Sequence, residues 1–370
     1  METFINSRMT ISEFIAAIFD KRKTAGVAAM AKLPSGNKAA YTLFTDKKSA
    51  ENCIPFFPAM PVNAAKAVSK FTRQASPSKE VAMFLRPCEL RALTELVKIK
   101  QAGLDNLLLI SFDCGGVFPF QEISISDEEK LKSYVDAFKN GKNCEGIRPV
   151  CTACTKFVPK ENQADIVISL IGRKPHDPLV MSFPTEKGKN TAKALGIDLS
   201  DKTDTCSVGP SPAVESLFKE RDEKEKKLKE KIKTGFTDTD GLVSMFDRCI
   251  SCHACSYVCP ICYCKNCYFD SQTFEYFSES YFIRMGEKGA LRLPVDKTLF
   301  HVGRLSHMGL SCVACGMCED ACPVNIPVSQ IFKTIGSEAQ AVFDYIPGKD
   351  LNEALPLLTY SESELETFED

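Results

Sequence analysis

Several common catalytic motifs are missing from this sequence of 370 residues. It has neither the G-x-G-x-x-G fingerprint nor the G-x4-G-K-[ST] phosphate loop, so a standard dinucleotide fold and a P-loop are both unsupported. It also lacks a Ser–His–Asp nucleophile elbow and the H-E-x-x-H metalloprotease motif. The chemistry of this chain therefore has to be inferred from other residues.

Long apolar runs and an excess of charge are missing as well. The net charge of -2 gives no reason to expect nucleic acid or a membrane surface as a partner. The best apolar run, Asn106–Phe112, is strand-sized and too short to span a bilayer. The first residues lack the pattern of a signal peptide. We therefore expect a cytoplasmic protein of two or three domains with no membrane span.

Cysteine, in contrast, is abundant, with 18 residues. In an exported chain these would suggest disulfides, whereas cytoplasmic thiols stay reduced. The cysteines are clustered at metal-ligand spacings, so metal binding is favoured over disulfides.

Two runs share the pattern C-x2-C-x2-C-x3-C-P, at Cys249–Pro260 and Cys312–Pro323. This spacing is typical of bacterial ferredoxins with [4Fe-4S] clusters, in which the fourth cysteine of each run binds the other cube. Structural zinc is the alternative, but zinc usually takes paired C-x2-C knuckles. The pattern predicts a first cluster on Cys249, Cys252, Cys255 and Cys322, and a second on Cys312, Cys315, Cys318 and Cys259.

Three more cysteines, Cys262, Cys264 and Cys267, follow the first run. They could supply ligands to a further cluster or hold a small structural metal, or they could be buried thiols packing beside a cube. The sequence leaves these alternatives open. His301 and His307, which precede the second run, are interpreted as packing or hydrogen-bonding residues.

A strand–helix–strand pattern precedes these runs. The segment "EVAMFL" predicts a buried strand, the following residues have helical periodicity up to a stop at Gly103, and "NLLLISF" predicts a second buried strand. In such a parallel unit, Cys88 and Cys114 would meet at the carboxyl edge of the sheet.

A C-x2-C pair at Cys151 and Cys154 adds two ligands to these. We therefore predict a third [4Fe-4S] cluster on Cys88, Cys114, Cys151 and Cys154, with Cys144 as the reserve ligand. A zinc knuckle or free thiols are the alternatives.

The segments "RPCELRAL", "LDNLLLISFDCGG" and "CTACTKF…ADIVISLIG" resemble the beta subunits of deazaflavin-dependent hydrogenases and formate dehydrogenases. The motif-level match covers roughly Lys79–Gly172, and Arg248–Val328 is most similar to the formate dehydrogenase branch. The resemblance implies FAD, which can accept a hydride and release single electrons, with one cluster beside it. It implies hydride exchange with the deazaflavin coenzyme F-420, or with NAD(P) in a related version.

The implied partner is a catalytic subunit of formate dehydrogenase or hydrogenase, or a heterodisulfide reductase-like complex. Asn63, Lys66 and Arg86 are candidate flavin contacts, because the predicted helix in Pro61–Val68 could direct its N-terminus at a phosphate. They could equally cap a helix or lie on the surface. A flavin-free electron relay and a structural zinc protein are the alternative functions.

The expected fold is an α/β (α+β) flavin-binding domain followed by a bacterial-type ferredoxin domain with two [4Fe-4S] clusters. The predicted boundaries are 1–217 for the first domain, 218–240 for a charged linker helix, 241–345 for the ferredoxin domain and 346–370 for an acidic tail. The linker contains the mixed-charge run Phe218–Lys233, which we interpret as a solvated spacer.

Overall fold

The first half of the chain builds a mixed β-sheet. The computed structural model describes residues 4–160, 163–173, 177–199, 205–206, 211–236, 239–356 and 358. In this part of the chain the strands are β1 (Phe4–Asn6), β2 (Gly26–Lys32), β3 (Ala39–Phe44), β4 (Val81–Leu85), β5 (Leu107–Phe112), β6 (Ile166–Ser169), β7 (Val180–Ser182) and β8 (Thr205–Cys206). Their order across the sheet is β3-β2-β4-β5-β6-β7-β1-β8.

Helices cover the sheet and form most of the second half. They are α1 (Ile11–Asp20), α2 (Ala64–Thr72), α3 (Pro87–Lys98), α4 (Glu128–Lys139), α5 (Pro149–Thr152), α6 (Glu186–Leu195), α7 (Pro212–Thr234), α8 (Thr239–Met245), α9 (Ala254–Tyr257), α10 (Ser278–Lys288), α11 (Lys297–Met308), α12 (Met317–Asp320) and α13 (Val328–Val342). None of the described helices is both long and apolar enough to cross a bilayer.

The centre of the sheet is parallel. Strand β4 pairs with β5 in the register Val81↔Leu107, and β2 and β6 continue the parallel arrangement on either side. Every residue of β4 and β5 is buried, as expected for strands covered on both faces. The predicted strand–helix–strand unit is therefore found, and its carboxyl edge lies beside Cys88 and Cys114.

Helix α3 ends earlier than predicted. Its last residue is Lys98, and Lys100 adopts the left-handed conformation, with φ of 58°, that is common just beyond a helix end. Gly103 is not the stop, so that prediction is wrong. Gly103 instead donates its backbone N–H to the Thr72 hydroxyl at 3.0 Å and joins the loop to α2.

The charged helix is α7, and it is not a solvated spacer. Leu217, Arg221 and Ile232 are buried at spacings that place them along one side of the helix. The Arg221 guanidinium donates hydrogen bonds to the carbonyl oxygens of Cys114 and Gly115, at 3.2 and 2.8 Å. The sequence interpretation was wrong because a narrow buried stripe is hidden within a dense run of charges.

The two halves share one core. Leu90 and Leu93 of α3 belong to the same buried cluster as Ile331 and Phe332 of α13. Beyond α13, the chain returns to α3, where the Arg91 side chain donates to the Pro347 carbonyl at 2.8 Å. The first residues of the predicted acidic tail are thus packed, and most of its remainder lies outside the described residues.

Candidate metal centres

The first ferredoxin run and the last cysteine of the second form one set, here called group 1: Cys249, Cys252, Cys255 and Cys322. Burial raises the pKa of the Cys255 thiol to about 11, and its neighbours Cys249, Cys322 and Cys252 act in the same direction. Backbone N–H groups also point at the sulfurs. Ser251 donates to Cys249 Sγ at 3.4 Å, and Ile326 donates to Cys322 Sγ at 3.3 Å.

Group 2 consists of Cys312, Cys315, Cys318 and Cys259. Burial raises the pKa of the Cys312 and Cys315 thiols to about 11 and about 12, and the nearby Cys259 contributes to both shifts. The two runs also share a backbone shape. Ser251 and His253 in the first run, and Ala314 and Gly316 at the matching positions of the second, all have positive φ. The repeated spacing therefore folds into a repeated loop.

The third set, the sheet-edge group, is Cys88, Cys114, Cys151 and Cys154. Cys88 lies in the first turn of α3, Cys114 follows β5, Cys151 lies in α5 and Cys154 follows that helix. Burial raises the pKa of the Cys151 thiol to about 11, with Cys114 and Cys154 among its electrostatic neighbours. The chain packs tightly here, because a Cβ on Gly116 would lie 3.1 Å from the Cys151 Cβ.

Cys144 lies near the sheet-edge group, since Cys151 packs against the same apolar cluster. It is buried in an apolar cluster with Phe118 and Ile147. Its Sγ lies 3.4 Å from the Glu145 carbonyl oxygen and 3.9 Å from Ser133 Oγ. These contacts are those of a packed thiol, and the role of Cys144 as a reserve ligand stays a prediction.

The cysteines that follow the first run have different surroundings. Cys262 Sγ lies 3.4 Å from Met308 Sδ beside Cys259, Cys264 is exposed, and Cys267 packs against the aromatic cluster around Phe269. Their contacts do not converge on a further cluster. The buried-thiol alternative fits Cys262.

In the described ranges, no three or more Cys, His, Asp or Glu side chains form a group that could hold a single metal ion. Of the cysteines whose side chains the structure describes, none is in a disulfide. Each thiolate of an iron–sulfur cube binds its own iron, so the sulfurs need not meet around one ion as they do around zinc. The zinc alternative gains no support from this geometry.

The surroundings of Arg304 in α11 indicate whether anionic clusters fit the ferredoxin groups. Its side chain is only 4% exposed, and no carboxylate pairs with it in the part of the chain that the structure describes. It donates instead to Cys255 Sγ at 3.1 Å and to the Cys255 carbonyl at 3.2 Å. A buried cation requires an anionic partner, and thiolate-ligated iron–sulfur cubes are anionic. The residues therefore fit such clusters.

Arg304 was not among the predicted site residues. The available signal was its position in α11, because Phe300, Arg304 and Met308 recur every four residues and all three are buried. His301 matches its expected role. It is buried, stacks on Phe246 with ring centroids 4.1 Å apart, and has Nε2 at 3.4 Å from Cys249 Sγ.

The sheet-edge group adjoins group 2. Cys88 has Cys315 among its electrostatic neighbours, and both pack against the apolar cluster of Met60, Val117 and Met317. Group 2 in turn adjoins group 1, because Cys259 and Cys318 lie near the Arg304 charge that contacts Cys255. The three groups therefore form a row, with group 2 in the middle.

Arg148 holds the two halves together at this point. Its side chain, in a residue only 1% exposed, donates to the carbonyls of Cys315 and Met60, each at 3.1 Å, and to Asp320 Oδ2 from Nε at 2.9 Å. Gly316 is needed beside it, since a Cβ there would lie 3.0 Å from Arg148 Cδ. Group 2 is thus fixed to the first half of the chain by a buried ion pair.

Comparisons with known proteins support iron–sulfur clusters in the ferredoxin region. Residues 245–326 match the family described as a 4Fe-4S dicluster domain, which spans groups 1 and 2. The F420-dependent formate dehydrogenase subunit beta of Methanocaldococcus jannaschii is 25% identical, over 90% of this chain and 89% of its own length. The F420-dependent formate dehydrogenase 1 subunit beta of Methanococcus maripaludis is 29% identical, over 92% and 90%.

This chain is similar to F420-dependent formate dehydrogenase beta subunits over about nine-tenths of its length. The resemblance predicted from the sequence is thereby confirmed, and an iron–sulfur oxidoreductase subunit is supported. A solved structure of the F420-reducing [NiFe] hydrogenase complex from Methanosarcina barkeri is also similar, with 13% identity and a TM-score of 0.39. It covers 60% of this chain and 84% of that one, and the similarity is too weak to support an inference.

Each of the three candidate flavin contacts has a hydrogen-bond partner within the protein. Asn63 caps α2 by accepting from the Ala65 N–H at 3.1 Å, although its amide nitrogen has no partner among the described atoms. Lys66 Nζ donates to the carbonyls of Tyr257 and Cys259, and Arg86 donates to the Phe57 carbonyl. Two of the three are thus held by backbone oxygens, so the set does not fit a flavin phosphate.

Proposed function

We propose that this protein is the electron-transfer subunit of a formate dehydrogenase or hydrogenase complex that uses a soluble hydride carrier. In this proposal, group 1, group 2 and the sheet-edge group each hold one [4Fe-4S] cluster. The observation that carries the proposal is the row of three cysteine groups, joined at Cys88–Cys315 and at Arg304. Such a row connects a site at the sheet edge with the surface of the ferredoxin region.

The protein's own residues prepare these positions. Bound cubes would supply one-electron transfer at each group. Burial keeps thiols such as those of Cys255 and Cys315 protonated at neutral pH in the metal-free protein, so they release protons when they bind iron. Met60, Val117 and Met317 exclude water between the sheet-edge group and group 2.

The exposure of Cys252 indicates which end of the row faces solvent. Cys252 of group 1 is exposed, whereas the proposed ligands of group 2 and of the sheet-edge group are half-buried or buried. Group 1 therefore lies nearest to solvent. A catalytic partner subunit would exchange electrons there, at the end of the row farthest from the sheet.

The carrier belongs to the same proposal. The names of the two relatives describe F420-dependent enzymes, which favours the deazaflavin coenzyme F-420 over NAD(P). A hydride carrier moves electrons in pairs, and a flavin is the cofactor class that converts pairs to single electrons. FAD is therefore part of the proposal, but we assign it no residues.

Purification of the native complex under anaerobic conditions tests the function. The expected result is a co-purifying catalytic subunit, FAD in the extract, and faster reduction of coenzyme F-420 than of NAD or NADP. Absence of flavin together with intact clusters would favour the relay without flavin. A preference for NAD or NADP would reject the deazaflavin assignment.

A further inference from the structure

Arg304 occupies the space between the two ferredoxin groups. From α11 its Nη1 reaches Cys255 Sγ of group 1 at 3.1 Å, and its Nη2 lies 3.7 Å from Met308 Sδ. Met308 Sδ is in turn 3.8 Å from Cys259 Sγ of group 2. The guanidinium carbon lies 4.9 Å from the centroid of the Phe332 ring, which helps to exclude water.

The Arg304 guanidinium contacts group 1 more closely than group 2. It donates a hydrogen bond to a group 1 sulfur, but in the described ranges it makes none to a group 2 ligand. A charge in a water-poor site acts more strongly than one at the surface. Adding an electron to a cube increases its negative charge, and an adjacent cation with an N–H···S bond stabilises that reduced form.

We propose that Arg304 sets the reduction potentials of the ferredoxin pair and raises the potential of the group 1 cluster more than that of the group 2 cluster. Arg304 thereby shifts the transferred electron toward group 1, the end with exposed Cys252. This inference rests on the proposed function, because it requires clusters in both groups.

The test is an EPR-monitored redox titration of the anaerobically prepared full chain carrying Arg304→Gln. Cys252→Ser and Cys318→Ser identify the signals of groups 1 and 2. The reduced-to-oxidised ratio of group 1 at a fixed potential should fall by about tenfold, or about 59 mV for one electron, and that of group 2 should fall less. Arg292→Gln is the matched control, because Arg292 is 71% exposed and pairs with Asp247. It should shift neither potential.

Arg304→Lys keeps the charge but loses the forked donor, so its group 1 shift should lie between wild type and Arg304→Gln. Full iron content with an unchanged group 1 potential, or with equal shifts at both groups, would overturn the proposal. So would loss of iron from both variants in a protein with native circular dichroism, since Arg304 would then be structural. A wild-type protein without clusters would instead reject the proposed function.

Discussion

The ferredoxin groups and the sheet-edge group each bring four cysteines together, but different features of the chain position them. In each ferredoxin run, three of the cysteines stand within seven residues, and a local loop with repeated positive φ brings them together. Cys88 and Cys114 are far apart in sequence and meet because parallel strands end at one edge of a sheet, and helix α5 brings Cys151 to the same edge. The first arrangement depends on spacing, and the second depends on topology.

The largest effect is expected from a substitution in the sheet-edge group alone. Cys151→Ser should remove the sheet-edge cluster, because the other three cysteines cannot complete a cube. Iron and acid-labile sulfide should fall by about a third, and the hydride carrier should no longer reduce the ferredoxin pair. Cys144→Ser is the control, since Cys144 is a buried thiol of the neighbouring apolar cluster and is not one of the four proposed ligands, and it should keep full iron. Unchanged iron and turnover in Cys151→Ser would reject the ligand assignment.

The converse change is Cys312→Ser. Transfer to the catalytic partner should fall by about 100-fold or more, because the middle position of the row is damaged. The sheet-edge cluster should still be reduced by the carrier, as seen by rapid-freeze EPR. Loss of the sheet-edge signal in this variant would contradict the division between the two regions.

A smaller effect is expected from the Arg148–Asp320 ion pair, which joins group 2 to the first half of the chain. Arg148→Met leaves Asp320 without its buried partner, so the protein should lose about 3–5 kcal/mol of stability. Thermal unfolding of the cluster-loaded protein measures this change. Lys226→Met, which breaks an exposed ion pair with Asp222, should leave the Tm unchanged. Similar Tm values for the two variants would mean that Arg148 does not join the regions.

The smallest effect is a difference in alkylation rate between two cysteines outside the three groups. Burial raises the pKa of the Cys53 thiol to about 12, whereas Cys264 is exposed. Because the thiolate is the reactive form, alkylation at pH 8 should modify Cys264 first, and Cys53 should react faster as the pH rises toward 12. Mass spectrometry of briefly alkylated protein gives both rates. Equal rates at pH 8 would show that Cys53 is not shielded.

The same comparison explains what could be predicted from the sequence. The two runs and the buried strands Val81–Leu85 and Leu107–Phe112 carry strong local patterns, so the grouping of the cysteines and the parallel unit could be inferred. The helix end at Lys98 could not, because the left-handed residue there is a lysine rather than a glycine.

Buried arginines account for most of what was missed. Arg148, Arg221 and Arg304 each lie inside the protein, where an isolated charge would be unfavourable. Their positions are explained by partners that are distant in sequence: Asp320 for Arg148, the Cys114 carbonyl for Arg221 and the cysteine sulfurs for Arg304. No local pattern identifies such partners before the fold is known.

The most direct test of the account is the cluster count of the wild-type chain. Iron and acid-labile sulfide analysis, with Mössbauer spectroscopy of anaerobically reconstituted protein, should give about twelve irons per chain, all in [4Fe-4S] clusters. A count of about eight irons would contradict the sheet-edge cluster. A colourless protein containing zinc and no acid-labile sulfide would contradict all three groups.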